Sequence, residues 1–213
     1  MLTRFVYFAA FLACIFIPLL IGGGLGIFSD KRAQIAAAFG LAWATVESSI
    51  HPSQFAQRGS DRVWVAAVII GITGAFTVAV FEYIHNPELT NLAESVLMLG
   101  LSMMVAGLIV RYLAIRTLGE FFNHELKISQ NHRIIQNGLY HHMRHPSYTG
   151  FALICLGISL AFGSIQVFAM LFVSIAIALT LRILSEEQVL LDYFGDDYRA
   201  YQKRTKRLIP FVW

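Results

Sequence analysis

Charge is scarce in this chain. Asp, Glu, Lys and Arg make up 14% of its 213 residues, where a soluble domain carries about 25%, and 57% are hydrophobic. That shortage excludes an ordinary soluble domain and indicates an integral membrane protein. Cysteine is nearly absent as well. Cys14 and Cys155 both fall inside apolar runs, so they read as packing residues and suggest no disulfide, zinc site or nucleophile. No internal repeat or low-complexity tract is present. No cleavable signal is evident either: the first apolar run, Phe5 to Phe28, is too long for a signal-peptide core and is expected to be a retained span. The net charge of +3 sits beside apolar segments, which suits anionic lipid headgroups and not nucleic acid.

What the chain has in abundance is apolar runs long enough to cross a bilayer, which takes about 20 residues. Phe5–Phe28, Ala33–Ile50, Val63–Ile84 and Leu92–Thr117 qualify or nearly do, the second being the shortest. The region Tyr148–Leu184 is too long for one span, and Phe162-Gly163-Ser164 near its middle predicts two helices joined by a tight turn. The run Gly22-Gly23-Gly24 with Gly26 suits close helix packing or a frayed helix end. With six spans and a cytosolic N-terminus, the outer loops hold only Lys31 and Arg32, leaving fourteen of the sixteen basic residues on the inner side. Glu47, Glu82, Glu94 and Arg111 lie near span ends, where snorkelling to the interface is the simplest expectation. The fold class is therefore an all-α integral membrane protein of five to six transmembrane helices, with a C-terminal helical hairpin and a cytosolic pocket.

Two polar clusters interrupt the apolar sequence. Polar side chains at membrane depth cost roughly 2.5–3.5 kcal/mol each on insertion scales, so they are expected to mark function. The first runs from His132 to Gly150 and contains four histidines, two arginines and two tyrosines. Pro146 pushes His145 out of the helical region and suits a first helical turn, so a helix is predicted to begin there. His145, Tyr148 and the free amides of that turn would face one spot fit for an anionic group. The second cluster holds Arg182, Glu186 and Glu187. Arg182 and Glu186 are four apart, hence on one helical face, and the tight turn would bring that face back to His145.

Other readings of these residues remain open. Arg182 and Glu186 also suit a helix-surface ion pair. The H-H-x-x-H run is similar to the histidine boxes of membrane di-iron enzymes, but those need about eight histidines in three boxes. This chain has seven, with His51 and His85 far from the cluster, so no metal is expected. Beyond Ser185, Leu190, Leu191, Phe194, Tyr198 and Tyr201 recur at helical spacing with a break at Gly195, as in an amphipathic helix lying on the membrane surface. Trp213 and the basic residues from Lys203 to Arg207 would suit the lipid interface.

The order H-x-[LI]-[VI]-x-x-G-x-Y-x-x-x-R-H-P-x-Y-x-G, then a hairpin, then R-x-x-x-E-E-x-x-L-x-x-x-F-G-x-x-Y-x-x-Y and a basic stretch ending in L-I-P resembles the isoprenylcysteine carboxyl methyltransferases. The likeness runs from about Phe121 to Phe211 and includes Phe122-Asn123-His124. It implies a membrane enzyme using S-adenosylmethionine (SAM) in a cytosol-facing pocket closed by the C-terminal segment. It implies a cofactor-binding set of Lys127, His132, Arg133, Ile134, Ile135, Gly138, Tyr140, His145, Pro146, Ser147, Tyr148, Glu186 and Glu187. Arg182 takes the position associated with the acceptor carboxylate, with His145 and Tyr148 beside the chemistry. The upstream loop is shorter than in the eukaryotic enzymes, and Lys127 stands where they tend to carry glutamine. On this resemblance residues 1–117 are N-terminal spans and residues 118–213 the catalytic region, closest to the shorter prokaryotic-type members.

Methyl transfer from a sulfonium to an ionised carboxylate needs no general base, so the lack of a nucleophile–base pair agrees with it. Alignment of donor and acceptor in a dry pocket is what the protein must supply. The acceptor is expected to be lipidated or lipid-soluble, with the α-carboxylate of a C-terminal isoprenylcysteine first and a phospholipid amine or small thiol as alternatives. Those two would require a proton acceptor, for which His145 or Tyr148 is available. An NADPH-dependent enzyme of the sterol-reductase type and a non-catalytic lipid- or partner-binding protein are the remaining classes. The expected location is the cell inner membrane in a prokaryote and the endoplasmic reticulum in a eukaryote.

Overall fold

The computed structural model describes residues 9, 12–13, 16–21, 23–48, 59–86, 94–121 and 133–209, with backbone alone at 48, 59–69 and 120. Much of the expected first span therefore lies outside the described residues, as do Cys14 and Trp213. Regular structure among the described residues is helical: α1 (Lys31–Ser48), α2 (Gly59–His85), α3 (Glu94–Leu118), α4 (Pro146–Ala161), α5 (Ile165–Phe194) and α6 (Asp196–Arg204), with short 3-10 turns at Leu25–Ser29, Gly119–Phe121 and Gly138–His141. Of these, α3 and α5 are long and apolar enough to cross a membrane. Pro146–Ala161 and Ile70–His85 are shorter apolar helices. Gly24, at φ 61°, leads into the Leu25–Ser29 turn, and a Cβ at Gly23 would lie 2.8 Å from Ile84 Cδ1 of α2, so close helix packing is the reading that Gly23 supports; Gly22 lies outside the described residues.

The expected hairpin forms where the sequence places it. Gly163 adopts φ 76°, its amide bonds to the Leu160 carbonyl, and the Ser164 hydroxyl caps α5 by accepting from the Val167 amide at 3.2 Å. The same hydroxyl donates to Glu82 on α2. Nearby, Tyr83 donates to Asp30 at 2.8 Å and Arg32 lies 4.9 Å over the Tyr83 ring. This end of the bundle thus gathers the loop before α1, the end of α2 and the hairpin turn.

Glu47 and Arg111 depart from the snorkelling expectation. Glu47 is 1% exposed and Arg111 4% exposed. They form a two-pronged ion pair, Arg111 Nε to Glu47 Oε1 and Nη2 to Oε2 at 3.0 Å, with the Trp43 indole donating to Glu47 Oε1 at 2.9 Å. The physical reason is partner availability. Each charge meets its complement across α1 and α3 inside the bundle, so neither has to reach the interface.

α3 and α4 run antiparallel and touch through glycine. Gly100 meets Gly157 and Gly107 meets Gly150, so each helix contributes two glycines seven residues apart. A Cβ built at Gly107 would lie 2.6 Å from the Gly150 carbonyl oxygen, and one at Gly150 the same distance from the Gly107 oxygen. Small residues let membrane helices approach at backbone distance, where packing and not hydrophobicity drives association. Gly107→Ala or Gly150→Ala must push the pair apart. Each is predicted to destabilise the protein by about 1–3 kcal/mol, read as a lower thermal midpoint in detergent. An unchanged midpoint would show that the contact is not tight.

Candidate active site

Pro146 occupies the first turn of α4 with His145 as its N-cap residue at φ −126°, as the dipeptide predicts. His145 is 5% exposed and stacks on Tyr148, ring centroids 5.6 Å apart and 16° from parallel. The returning α5 brings its polar face to this turn. The Tyr148 hydroxyl donates to Glu186 Oε2 at 2.8 Å, Arg182 is hydrogen-bonded to Tyr148, and His145 Nδ1 lies 3.9 Å from Glu186 Oε2. The two sequence clusters therefore meet at one end of the bundle. Arg182 is buried, while the Glu186 side chain keeps 30% exposure.

Glu187 has a different surrounding. Its carboxylate is 4% exposed and receives Arg144 Nε at 2.7 Å, Arg207 Nη2 at 3.1 Å and His145 Nε2 at 3.4 Å. Around it the C-terminal segment folds back as a strap. Met143 and Lys206 form a parallel bridge, with the Arg144 amide bonded to the Lys206 carbonyl at 2.7 Å and the His145 amide to the Arg207 carbonyl at 3.0 Å. Arg144 Nη1 also donates to the Thr205 and Gln202 carbonyls, and the Thr149 hydroxyl to the Leu208 carbonyl at 2.7 Å. The basic tail is thus held by the protein. α6 likewise buries Tyr198 and Tyr201 against the chain, which departs from a helix lying free on the membrane surface.

The strap also alters the expected anion site at the helix terminus. The amides of Arg144 and His145 are taken by strap carbonyls, those of Tyr148 and Thr149 by the His145 carbonyl, and Pro146 has none. Among the other expected cofactor residues, Tyr140 is buried and its carbonyl accepts from the Tyr201 hydroxyl at 2.6 Å. Gly138 opens the 3-10 turn at φ 57°, a conformation that favours glycine. Arg133 lies 5.8 Å over Phe121, Ile134 and Ile135 are half-buried, and the Ser147 hydroxyl accepts from Arg111 Nη1 at 2.9 Å. Lys127 and His132 lie outside the described residues. Sequence reasoning did not single out Arg144 or Thr205, for which the place of Arg144 inside R-H-P was the available signal, and it expected Arg207 at the lipid interface, whereas Arg207 pairs with Glu187.

A sequence model of the isoprenylcysteine carboxyl methyltransferase (ICMT) family matches residues 98–192. Protein-S-isoprenylcysteine O-methyltransferase B of Arabidopsis thaliana is 30% identical over 195 residues, covering 87% of this chain and 98% of that protein. The chain belongs to the isoprenylcysteine carboxyl methyltransferase family. It is a methyltransferase. A probable protein-S-isoprenylcysteine O-methyltransferase of Oryza sativa is 28% identical over 202 residues, 91% of this chain and 95% of the relative. The fold is similar to that of a solved eukaryotic intramembrane Ras methyltransferase ICMT. That likeness has a TM-score of 0.66 and 24% identity, over 93% of this chain and 74% of that one. The ICMT match spans α3 to α5, the elements that carry Arg111, His145, Tyr148, Arg182 and both glutamates.

Tyr140, Tyr198 and Tyr201 share one electrostatic property. Burial pushes each phenol above its ordinary range, with Glu186 adding to the effect at Tyr140 and Glu187 at Tyr198. Each folded-state pKa is raised, so their contribution to stability is complete below the unfolded value, about 10, and is lost as pH climbs toward the folded values. Thermal stability is predicted to be level up to about pH 9 and to fall above about pH 10, with a shallower fall in Tyr201→Phe. An alkaline limb identical in the two proteins would contradict this.

Proposed function

We propose that this methyltransferase moves a methyl group from SAM to the α-carboxylate of a C-terminal isoprenylcysteine, at a site facing the cytosol, with residues 118–213 carrying the chemistry and residues 1–117 supporting it. The observation that carries the proposal is the meeting of Tyr148 and His145 with Glu186 and Arg182 at one end of the bundle, in a chain of this family. The donor set suits the cofactor. The half-open Glu186 carboxylate, bonded to a phenol, can accept from ammonium or hydroxyl groups, and the stacked His145–Tyr148 pair offers a flat apolar wall. When bound, SAM would supply a sulfonium methyl group whose carbon a carboxylate oxygen can attack in line, with the demethylated thioether as leaving group.

The chain's own residues supply position. Arg182 lies one helical turn, about 6 Å, farther into the bundle than Glu186. A buried guanidinium there can hold a carboxylate whose lipid tail stays in the bilayer, while Glu186 faces the aqueous side. Glu187 is assigned to holding the strap over the site. Phospholipid amines and small thiols are less favoured, because the Tyr148 hydroxyl is engaged with Glu186 and Arg182 and because the buried Arg182 guanidinium suits an anionic acceptor and not an ammonium group.

The experiment is a panel of acceptors with radiolabelled SAM and purified protein. Farnesylated cysteine should be methylated, and phosphatidylethanolamine and small thiols should not. Label on the amine or thiol alone would replace the proposed acceptor. SAM or its demethylated product should also stabilise the fold by about 2.7 kcal/mol at a hundredfold excess over Kd, seen as a higher thermal midpoint, whereas NADPH should not. Arg182→Ala should cut kcat/KM for farnesylated cysteine roughly 10- to 100-fold with much less effect on SAM affinity. Equal losses would assign Arg182 to the cofactor.

A further inference from the structure

The active-site turn rests on a second polar system, built on Arg111 and Glu47. Arg111 reaches from α3 in two directions at once. One edge of its guanidinium holds Glu47 of α1. Its remaining nitrogen, Nη1, donates to Ser147 at both the hydroxyl (2.9 Å) and the carbonyl (3.1 Å), and its Cζ lies 5.7 Å over the Phe151 ring one turn on. Ser147 stands between Pro146 and Tyr148. Two helices are thereby tied to the first turn of α4 directly behind the stacked His145–Tyr148 pair.

A structural role alone does not account for this arrangement. Placing two charges in the interior of a membrane bundle is costly, and apolar residues of similar volume commonly serve stability as well or better. An apolar pair, however, could not grip a backbone carbonyl and a hydroxyl. Only the planar fork of arginine satisfies Glu47 and Ser147 together in fixed directions. The anchoring point also lies beside one of the glycine contacts between α3 and α4: a Cβ at Gly150 would lie 2.8 Å from the Arg111 amide. The turn can then neither slide along α3 nor rotate about its own axis.

We infer that Arg111, oriented by Glu47, is a positioning residue for methyl transfer, acting through Ser147 to hold His145 and Tyr148 in register with Glu186 and Arg182. The inference rests on the site assigned above. Arg111 touches neither substrate nor cofactor in this role.

The test is the double variant Glu47→Met/Arg111→Met, which removes both charges and keeps the volume. In purified protein, kcat per folded molecule should fall about 10- to 100-fold, as expected for misplaced reacting groups, with the acceptor KM within about threefold. Ser147→Ala should lower kcat in the wild type and have no further effect in the double variant. Amide exchange at residues 148–151 should speed up about tenfold or more while the α5 segment 170–180 is unchanged. Wild-type kcat together with wild-type exchange would overturn the inference, and so would a Ser147→Ala effect of full size in the double variant. If the double variant does not fold, Arg111→Lys is measured in its place, since it keeps a cation for Glu47 but lacks the fork; the same loss of kcat and faster exchange are expected, and wild-type values of both would overturn the inference. A wild-type protein inactive on every acceptor would sink the assigned function, and the exchange measurement would still decide the positioning role.

Discussion

The carboxylate of Glu187 is the interaction on which the site end of this molecule depends. It draws Arg144, Arg207 and His145 to one point. Those residues belong to the loop before α4 and to the strap after α6, while Glu187 itself sits on α5. Without that charge, the guanidinium groups of Arg144, which is 8% exposed, and Arg207, which is 28% exposed, would lose the anion they share and repel each other. With it, each finds a charge-assisted hydrogen bond. The strap then zips onto residues 142–145 through its own backbone, and Tyr201 and Thr205 complete the closure.

From that point the architecture follows outward. The helix opened by Pro146 is fixed in depth by the glycine contact with α3 and fixed in rotation by Arg111 and Ser147. The tight turn at Gly163 sends α5 back, so residues near position 182 return to the level of residues near position 148. A lipid-bound acceptor and a water-soluble donor have to meet at a boundary. The end of the bundle that holds His145, Tyr148, Arg182 and both glutamates, beneath a strap made from its own tail, suits such a boundary.

The hairpin was legible because Phe162-Gly163-Ser164 is a local turn signal inside a run too long for one span. The meeting of Arg182 and Glu186 with His145 and Tyr148 was legible for the same reason, since a tight antiparallel return fixes which residues share a level. What escaped was pairing between distant segments. Glu47 and Arg111 are 64 positions apart, and a single sequence gives no register between α1 and α3, so each looked like a residue reaching for the interface. Glu186 and Glu187 are adjacent, and composition could not say which of two neighbours meets Tyr148 and which meets the strap. The basic tail carries no strand pattern, and its short parallel bridge to Met143 depends on side chains brought in by α5.

If Glu187 makes the turn and the strap one cooperative unit, the amides of Arg144, His145 and Lys206 must open together. Site-resolved hydrogen exchange of these three, in the wild type and in Glu187→Gln, tests this most directly. All three are predicted to exchange with a common opening rate in the wild type and to be accelerated together in the variant. Acceleration of Lys206 alone, with Arg144 and His145 still protected, would contradict it.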